Sequence, residues 1–172
     1  MYEFNYIRAT SVEDALKSLE AAEDGKLMAG GMTLLPTMKL RLASPSDLID
    51  IGGLENLQGV SAEDGRIVIG AMTTHADVSN SSVLKDSIPA LADLAAHIGD
   101  PAVRNRGTIG GSIANADPAA DYPAAVLGLN AEVQTNKRGI AADDYFVDVF
   151  ETALDELEVI TALSFPVPAK AA

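Results

Sequence analysis

Residues 4–51 switch hydrophobic period four times, and that alternation restricts the start of the chain to a sheet built with helical crossovers. Phe4 to Ile7 reads as a short strand. Ser11 then acts as a helix N-cap with Asp14 three residues on in an approximate capping box, and Val12, Ala15, Leu16, Leu19 and Ala22 share one face at helical spacing. Gly25 ends this helix, Lys26 to Ala29 forms a short buried strand, and the pair Gly30-Gly31 leads into a second helical stretch. That stretch runs from Leu34 to Leu42, with Pro36 tolerated in its first turn. Pro45 and Ser46 break it ahead of a third strand, Asp47 to Ile51. Three strands separated by two helices predict a small sheet with right-handed crossovers.

Gly52-Gly53 marks a boundary, giving one lobe of residues 1–53 and a second of residues 54–172. In the second, the sequence predicts a strand over Arg66 to Ala71, a helix from Thr74 and another from Pro89 to Ile98. A Gly- and Asn-rich loop follows from Gly99 to Asp121, then a helix from Tyr122 to Leu129. Glu132 to Thr135 and Lys137 to Ala141 form a hairpin, and a last strand, Val159 to Phe165, is closed by Pro166 and Pro168. A length of 172 residues suits one domain or two small lobes sharing a core. Apolar residues make up 48%, enough to bury, but aromatics are only 5% and Trp is absent, so the expected core is aliphatic. Met28, Met32, Met38 and Met72 read as gap-filling core residues, with Met32 also placed to reach a ligand.

The net charge of −13 excludes nucleic acid and anionic membrane surfaces as expected partners, because both reward clustered Lys and Arg. It also means that an anionic ligand would be held by backbone N–H groups and helix N-termini more than by cations. With no Cys, the chain itself has no disulfide, thiolate nucleophile, zinc–thiolate site or Cys-held iron–sulfur cluster. The two His are far apart: His75 reads as a surface or capping residue, and His97 as a structural residue at a helix end. Asp143-Asp144 and the group Asp155, Glu156 and Glu158 lack a nearby His and read as solvated faces rather than metal ligands. Met1-Tyr2-Glu3-Phe4-Asn5 lacks the basic and apolar regions of a signal peptide, and no apolar stretch approaches the ~20 residues that span a bilayer. These features predict a cytoplasmic protein with no membrane insertion.

Two glycine segments carry the chemistry. In Ala29-Gly30-Gly31-Met32-Thr33-Leu34-Leu35-Pro36 a strand runs through paired Gly into a helix start, leaving orphan N–H groups beside the positive end of a helix dipole. That suits a pyrophosphate; it equally suits an ordinary tight turn with Thr33 as N-cap. The second segment runs from Arg104 to Tyr122 and holds Gly107, Gly110 and Gly111, small hydroxyl and amide side chains, Asp117 and Asp121. Long irregular segments inside a domain are usually functional, and this assortment suits a polyhydroxylated, phosphorylated ligand. Asp121 is placed either to accept hydrogen bonds from hydroxyls or to cap the next helix. Valine at Gly110 and Gly111 is expected to fill the space of a pyrophosphate. Neither segment matches Gly-x-Gly-x-x-Gly or a Gly-Lys-Ser/Thr phosphate loop.

Taken together, the two segments resemble the FAD loops of the medium, flavin-binding subunit of the xanthine dehydrogenase/aerobic carbon monoxide dehydrogenase family of molybdenum hydroxylases. Residues 29–43 correspond to the first loop and residues 104–124 to the second; Ile69 to Thr74, Ile98 to Arg104, Phe150 to Leu154 and Phe165 to Pro168 match in the same order. The resemblance implies an α+β, two-lobed FAD-binding domain of the PCMH (vanillyl-alcohol-oxidase-like) type, with a small N-terminal sheet lobe and a larger mixed or antiparallel one. It implies non-covalent FAD between the lobes. Ala29, Gly30, Gly31, Met32 and Thr33, with Gly107, Thr108, Ile109, Gly110 and Gly111, would hold the pyrophosphate and adjoining ribityl through backbone donors. Ser112, Asn115 and Asp121 would bind ribityl or phosphate oxygens, and Ile98 and Ile160 would line the ring environments. Met32-Thr33 departs from the family's common His-Ser, keeping a hydroxyl but losing a donor.

The same resemblance implies electron relay rather than substrate chemistry in this chain, with no proton-transferring side chain and no metal of its own. Substrate would be oxidised at a molybdenum cofactor in a large subunit, and iron–sulfur clusters in a small subunit would pass electrons to FAD and on to NAD or another acceptor. The implied assembly is a dimer of heterotrimers. Family members continue into a C-terminal domain that is absent from these 172 residues. That absence raises a rival expectation, a truncated, non-catalytic assembly domain that no longer retains FAD. A free-standing flavin oxidase of the same superfamily is the other rival.

Overall fold

In the computed structural model, which describes residues 1–169, the alternating first segment folds as β1 (Asn5–Arg8), α1 (Val12–Ala21), β2 (Gly25–Met28), α2 (Leu34–Lys39) and β3 (Asp47–Asp50). The sheet order is β1-β3-β2 and all pairs are parallel. Leu48 and Ile49 of the central strand are both buried, as expected when helices and neighbouring segments cover the two faces of a parallel sheet. The Ser11 Oγ accepts from the Asp14 N–H at 3.1 Å. The Asp14 carboxylate closes back on the N–H and hydroxyl of Thr10 rather than on Ser11, so the capping box is shifted by one residue. Helix α2 stops three residues before the expected Leu42. Arg41 takes a φ of 62°, with Arg41 N–H bonded to Met38 C=O and Leu42 N–H to Thr37 C=O, a Schellman ending made without glycine.

After a 3-10 turn at Glu55–Leu57 come β4 (Val60–Glu63) and β5 (Arg66–Gly70), joined by Asp64 and Gly65, both with positive φ. This is the primed two-residue hairpin that Asp-Gly favours; β4 was not among the expected strands. Helices α3 (His75–Asn80), α4 (Ser82–Ser87) and α5 (Pro89–His97) follow. The expected loop from Gly99 to Asp121 in fact holds α6 (Pro101–Arg104) and α7 (Ile109–Asn115). Asp100 caps the first, accepting from Val103 N–H, and Thr108 caps the second, accepting from Gly111 N–H. Paired glycines do not prevent α7, because Ile109 and Ile113, one turn apart, are fully buried and tertiary packing overrides propensity. Helix α8 (Asp121–Gly128) has Ala120 as its N-cap with no side-chain cap bond, so Asp121 lies inside the first turn and is not the cap.

The chain ends in β6 (Glu132–Thr135), β7 (Gly139–Ala141), α9 (Ala142–Tyr145), the short ribbon β8 (Phe146–Asp148) and β9 (Glu151–Thr152), and β10 (Ile160–Pro166). The second sheet is antiparallel with order β4-β5-β10-β6-β7, and the register shifts between Ile160 and Ala162. Central β10 is buried along most of its length and meets the helices through Leu163 and Phe165. The main core is chiefly aliphatic, as expected, but its largest fully buried side chains are Tyr122, Tyr145 and Phe165. Met28, Met38 and Met72 are buried, whereas Met32 is 36% exposed and outside the core.

Helix α7 crosses the end of β5 at Gly110, where an added Cβ would meet Ala71 Cβ and O at 2.6 Å and Cα at 2.9 Å. The obstacle is backbone and cannot rotate away. Gly110→Ala should therefore destabilise the fold by roughly 1–3 kcal/mol in chemical denaturation, as overpacking does. Gly128→Ala, where a Cβ meets nothing within 4 Å, should be neutral or stabilising.

Candidate functional site

The two glycine segments pack against each other and both line a cavity of about 680 Å³. Ala29, Gly30, Gly31, Met32 and Thr33 form one wall; Gly107, Thr108, Gly110, Gly111, Ser112 and Asn115 form the other; Ile98 and Ile160 also line it. Of the residues singled out in the sequence, Ile109 and Asp121 are not in the lining. Ile109 is fully buried in the core, and Asp121 is exposed at the start of α8.

The glycines bring backbone against backbone. A Cβ on Gly30 would collide with the Arg106 carbonyl and reach within 2.9 Å of Gly107 Cα, and Gly31 has a φ of 72°. On Gly107 it would come within 2.5 Å of His75 Nε2; on Gly111 it would meet Thr108 Oγ1 at 2.9 Å and Ala29 Cβ at 3.3 Å. The expected reason for Gly110 and Gly111 is thus corrected. Their missing side chains make room for Ala71, Thr108 and Ala29, and valine there would disturb packing before it reached a ligand.

The two walls differ in what they offer. Gly107 N–H donates to Val103 C=O, Ile109 to Thr73, Gly110 to Ala71, and Gly111 to the Thr108 hydroxyl. On the other wall, the N–H groups of Gly30, Gly31, Met32 and Thr33 find no acceptor among the described residues. Unpaired backbone donors in a recess are rare unless water or a ligand takes them. Thr33 is the N-cap of α2 by position, yet its side chain makes no cap bond. Four successive residues of the lining thus carry N–H groups with no protein acceptor, an arrangement suited to phosphate oxygens.

Several lining residues were not expected at a binding site. Phe150 is 60% exposed with a φ of 58°, pinned by its N–H to Ala116 C=O at the rim. Glu158, expected on a solvated face, is buried in the wall. Its carboxylate accepts from Arg138 Nε and Nη2 at 3.0 Å each, from Thr135 Oγ1 at 2.7 Å and from Asp155 N–H at 2.8 Å. The Arg138 guanidinium above all, then the Asp155 N–H and Thr135 hydroxyl, hold the Glu158 carboxyl down to about 2 against desolvation. The pairing of β10 with β6 brings Glu158 beside Arg138 of the β6–β7 turn, 20 positions away. His75, expected at the surface, is 5% exposed and also lines the cavity. Burial pulls its pKa down to about 4, with the Asp121 charge opposing. His97 is exposed at the end of α5, its ring nitrogen 2.8 Å from Asp93 C=O, the structural place expected of it. Asp143 and Asp144 are exposed, and no group of acidic or His side chains among the described residues could hold a metal ion.

The family model for the FAD binding domain in molybdopterin dehydrogenase matches residues 2–168. The chain belongs to this family. It is 42% identical over 168 residues to the carbon monoxide dehydrogenase medium chain of Hydrogenophaga pseudoflava, covering 95% of this chain and 58% of that one. It is 40% identical to the nicotine 6-hydroxylase medium subunit of Paenarthrobacter nicotinovorans, covering 94% and 58%. Among solved structures, the Hydrogenophaga carbon monoxide dehydrogenase superposes with a TM-score of 0.95 at 41% identity, over 98% of this chain and 61% of that chain. Quinoline 2-oxidoreductase from Pseudomonas putida gives 0.93 at 32% identity, over 98% and 60%. The fold is therefore the α+β flavin-binding fold that the glycine segments implied, and the cofactor of the family is FAD. The chain spans about 60% of the length of these relatives. Among the described residues, no helix is long and apolar enough to cross a membrane.

Two buried titratable groups of the wall contribute to the acid limb of stability. An unfolded His75 takes a proton near pH 6.5 and the folded one near 4, so the unfolded state binds more protons between these values and stability falls as pH drops through that window. Glu158 adds stability above its ordinary 4.5, lost as pH falls toward 2. Thermal melts from pH 7 to 4.5 should show a falling Tm that is flatter in His75→Phe; an identical slope in the two proteins would contradict the burial argument.

Proposed function

We propose that this chain is the flavin-bearing part of a molybdenum hydroxylase and relays electrons without acting on substrate itself. The observation that carries this reading is the row of unpaired N–H groups from Gly30 to Thr33 in the cavity lining, anchored by the seating of Gly30 on Arg106 and Gly107. Residues 1–53 and 54–172 would act as two lobes around the cofactor. Bound FAD supplies the electron-carrying chemistry, accepting from iron–sulfur clusters of a small partner subunit and delivering to NAD or another acceptor. Electrons would originate at a molybdenum cofactor in a large partner subunit, within a cytoplasmic dimer of heterotrimers.

The chain's own residues bind and orient. The Gly30 to Thr33 donors would take the pyrophosphate, with the Ser112 hydroxyl and Asn115 amide contacting the polyol chain from the other wall. Asp117 lines the cavity where Asp121 does not, and so is the better placed carboxylate to accept hydroxyl hydrogen bonds. Ile98 and Ile160 give apolar walls for the rings. The Arg138–Glu158 pair fixes the wall segment that precedes β10.

The purified chain should bind FAD stoichiometrically and release it on denaturation, shown by flavin fluorescence. A folded chain that binds none would support the assembly-domain reading instead. Asp117→Asn should weaken FAD binding more than Asp121→Asn, since charge-assisted hydrogen bonds are about twice as strong as neutral ones. Alone, the FAD-loaded chain should not turn over a heterocycle, an aldehyde or carbon monoxide with an artificial acceptor. Turnover appearing without molybdenum and iron–sulfur subunits would refute the relay.

A further inference from the structure

Two buried polar atoms among the described residues lack a hydrogen-bond partner, and they belong to neighbouring side chains: His75 Nδ1 and the Tyr122 hydroxyl. The two rings lie 5.3 Å apart, tilted by 42°. The other ring nitrogen of His75, Nε2, also has no partner among the described residues, yet it is not sealed off. It packs on Gly107, and His75 and Gly107 both line the cavity. Gly107 is also a residue on which Gly30 seats, so His75 and the first wall share Gly107 as a neighbour.

A neutral imidazole has one N–H and one lone pair to place. Burying an unpaired N–H is rarer in proteins than burying an under-satisfied acceptor. The Tyr122 hydroxyl, on the ring packed against the imidazole, is likewise buried without a partner. The sealed, unpartnered Nδ1 therefore keeps the lone pair and Nε2, on the cavity side, carries the proton; desolvation keeps the ring uncharged.

We propose that His75, as the neutral Nε2–H tautomer buttressed by Tyr122, is a cofactor-binding residue that donates a hydrogen bond to a phosphate oxygen of the bound dinucleotide. The assignment rests on the FAD reading above. It makes His75 a fifth donor to the pyrophosphate, added from a side chain to the four backbone N–H groups.

The test uses the whole chain labelled with ¹⁵N in its two histidines, with His97, exposed at the end of α5, as an internal reference. Long-range ¹H–¹⁵N correlation at pH 7.5 should show His75 as the Nε2–H tautomer. On saturation with FAD, its Nε2 resonance should move while both His97 nitrogens stay. An Nδ1–H tautomer, an imidazolium, or an unmoved Nε2 while flavin fluorescence reports binding would overturn the assignment and leave the FAD reading intact. Absence of any FAD binding would remove both. A second arm compares variants: His75→Phe, which keeps an aromatic ring without the donor, should weaken FAD binding about tenfold, and His75→Gln, which keeps an N–H, by less than about threefold, the scale of one hydrogen bond. Unchanged FAD affinity in His75→Phe would also overturn the proposal.

Discussion

The cavity exists because two backbones approach more closely than any side chain allows. Gly30 sits against Arg106 and Gly107, and Gly110 against Ala71 at the end of β5. The first contact joins the parallel sheet segment to the second glycine segment; the second fixes α7 on the antiparallel sheet. Such contacts carry little energy of their own. They set distances, and a methyl group at either place would push the walls apart. Glycine is used here for its missing volume, and only Gly31, at a φ of 72°, is also used for its backbone freedom.

Once the walls are set, their hydrogen bonds divide between structure and ligand. The second wall uses its N–H groups on Val103, Thr73 and Ala71, which ties α7 and the turn before it to α6 and to the connection between β5 and α3. The first wall keeps its donors free. A helix start whose donors are all used inside the protein is rigid but offers little to an anion, while a free row needs a rigid neighbour to hold it in place. The arrangement separates the two tasks, and it suits a protein whose net charge of −13 opposes anions at long range.

Elsewhere in the lining, a charged pair serves geometry. Glu158 is surrounded by Arg138, Thr135 and the Asp155 N–H, so its buried carboxylate is fully partnered. That network locks the segment before β10, where the register shifts and Ile160 faces the cavity. The relatives share this fold at TM-scores of 0.93 to 0.95 despite identities as low as 32%, consistent with a frame set by backbone contacts more than by side-chain detail.

The sequence by itself determined the parallel sheet of residues 5–50, the Ser11 cap, the β6–β7 hairpin, the last strand to within one residue, and the two segments that meet at the cavity. These rest on local periods, caps and turn residues, whose physics is complete within a few positions. Asp64-Gly65 was equally legible as a hairpin turn and would have revealed β4. Tertiary structure alone decided that Gly110 and Gly111 lie in a helix, because the burial of Ile109 and Ile113 outweighs their poor propensity. It alone placed Asp121 outside the lining, turned His75 inward beside Tyr122, and paired Glu158 with Arg138. Each of these depends on which surfaces a residue meets across many positions of chain, and burial and pairing across a sheet leave no mark in the local pattern.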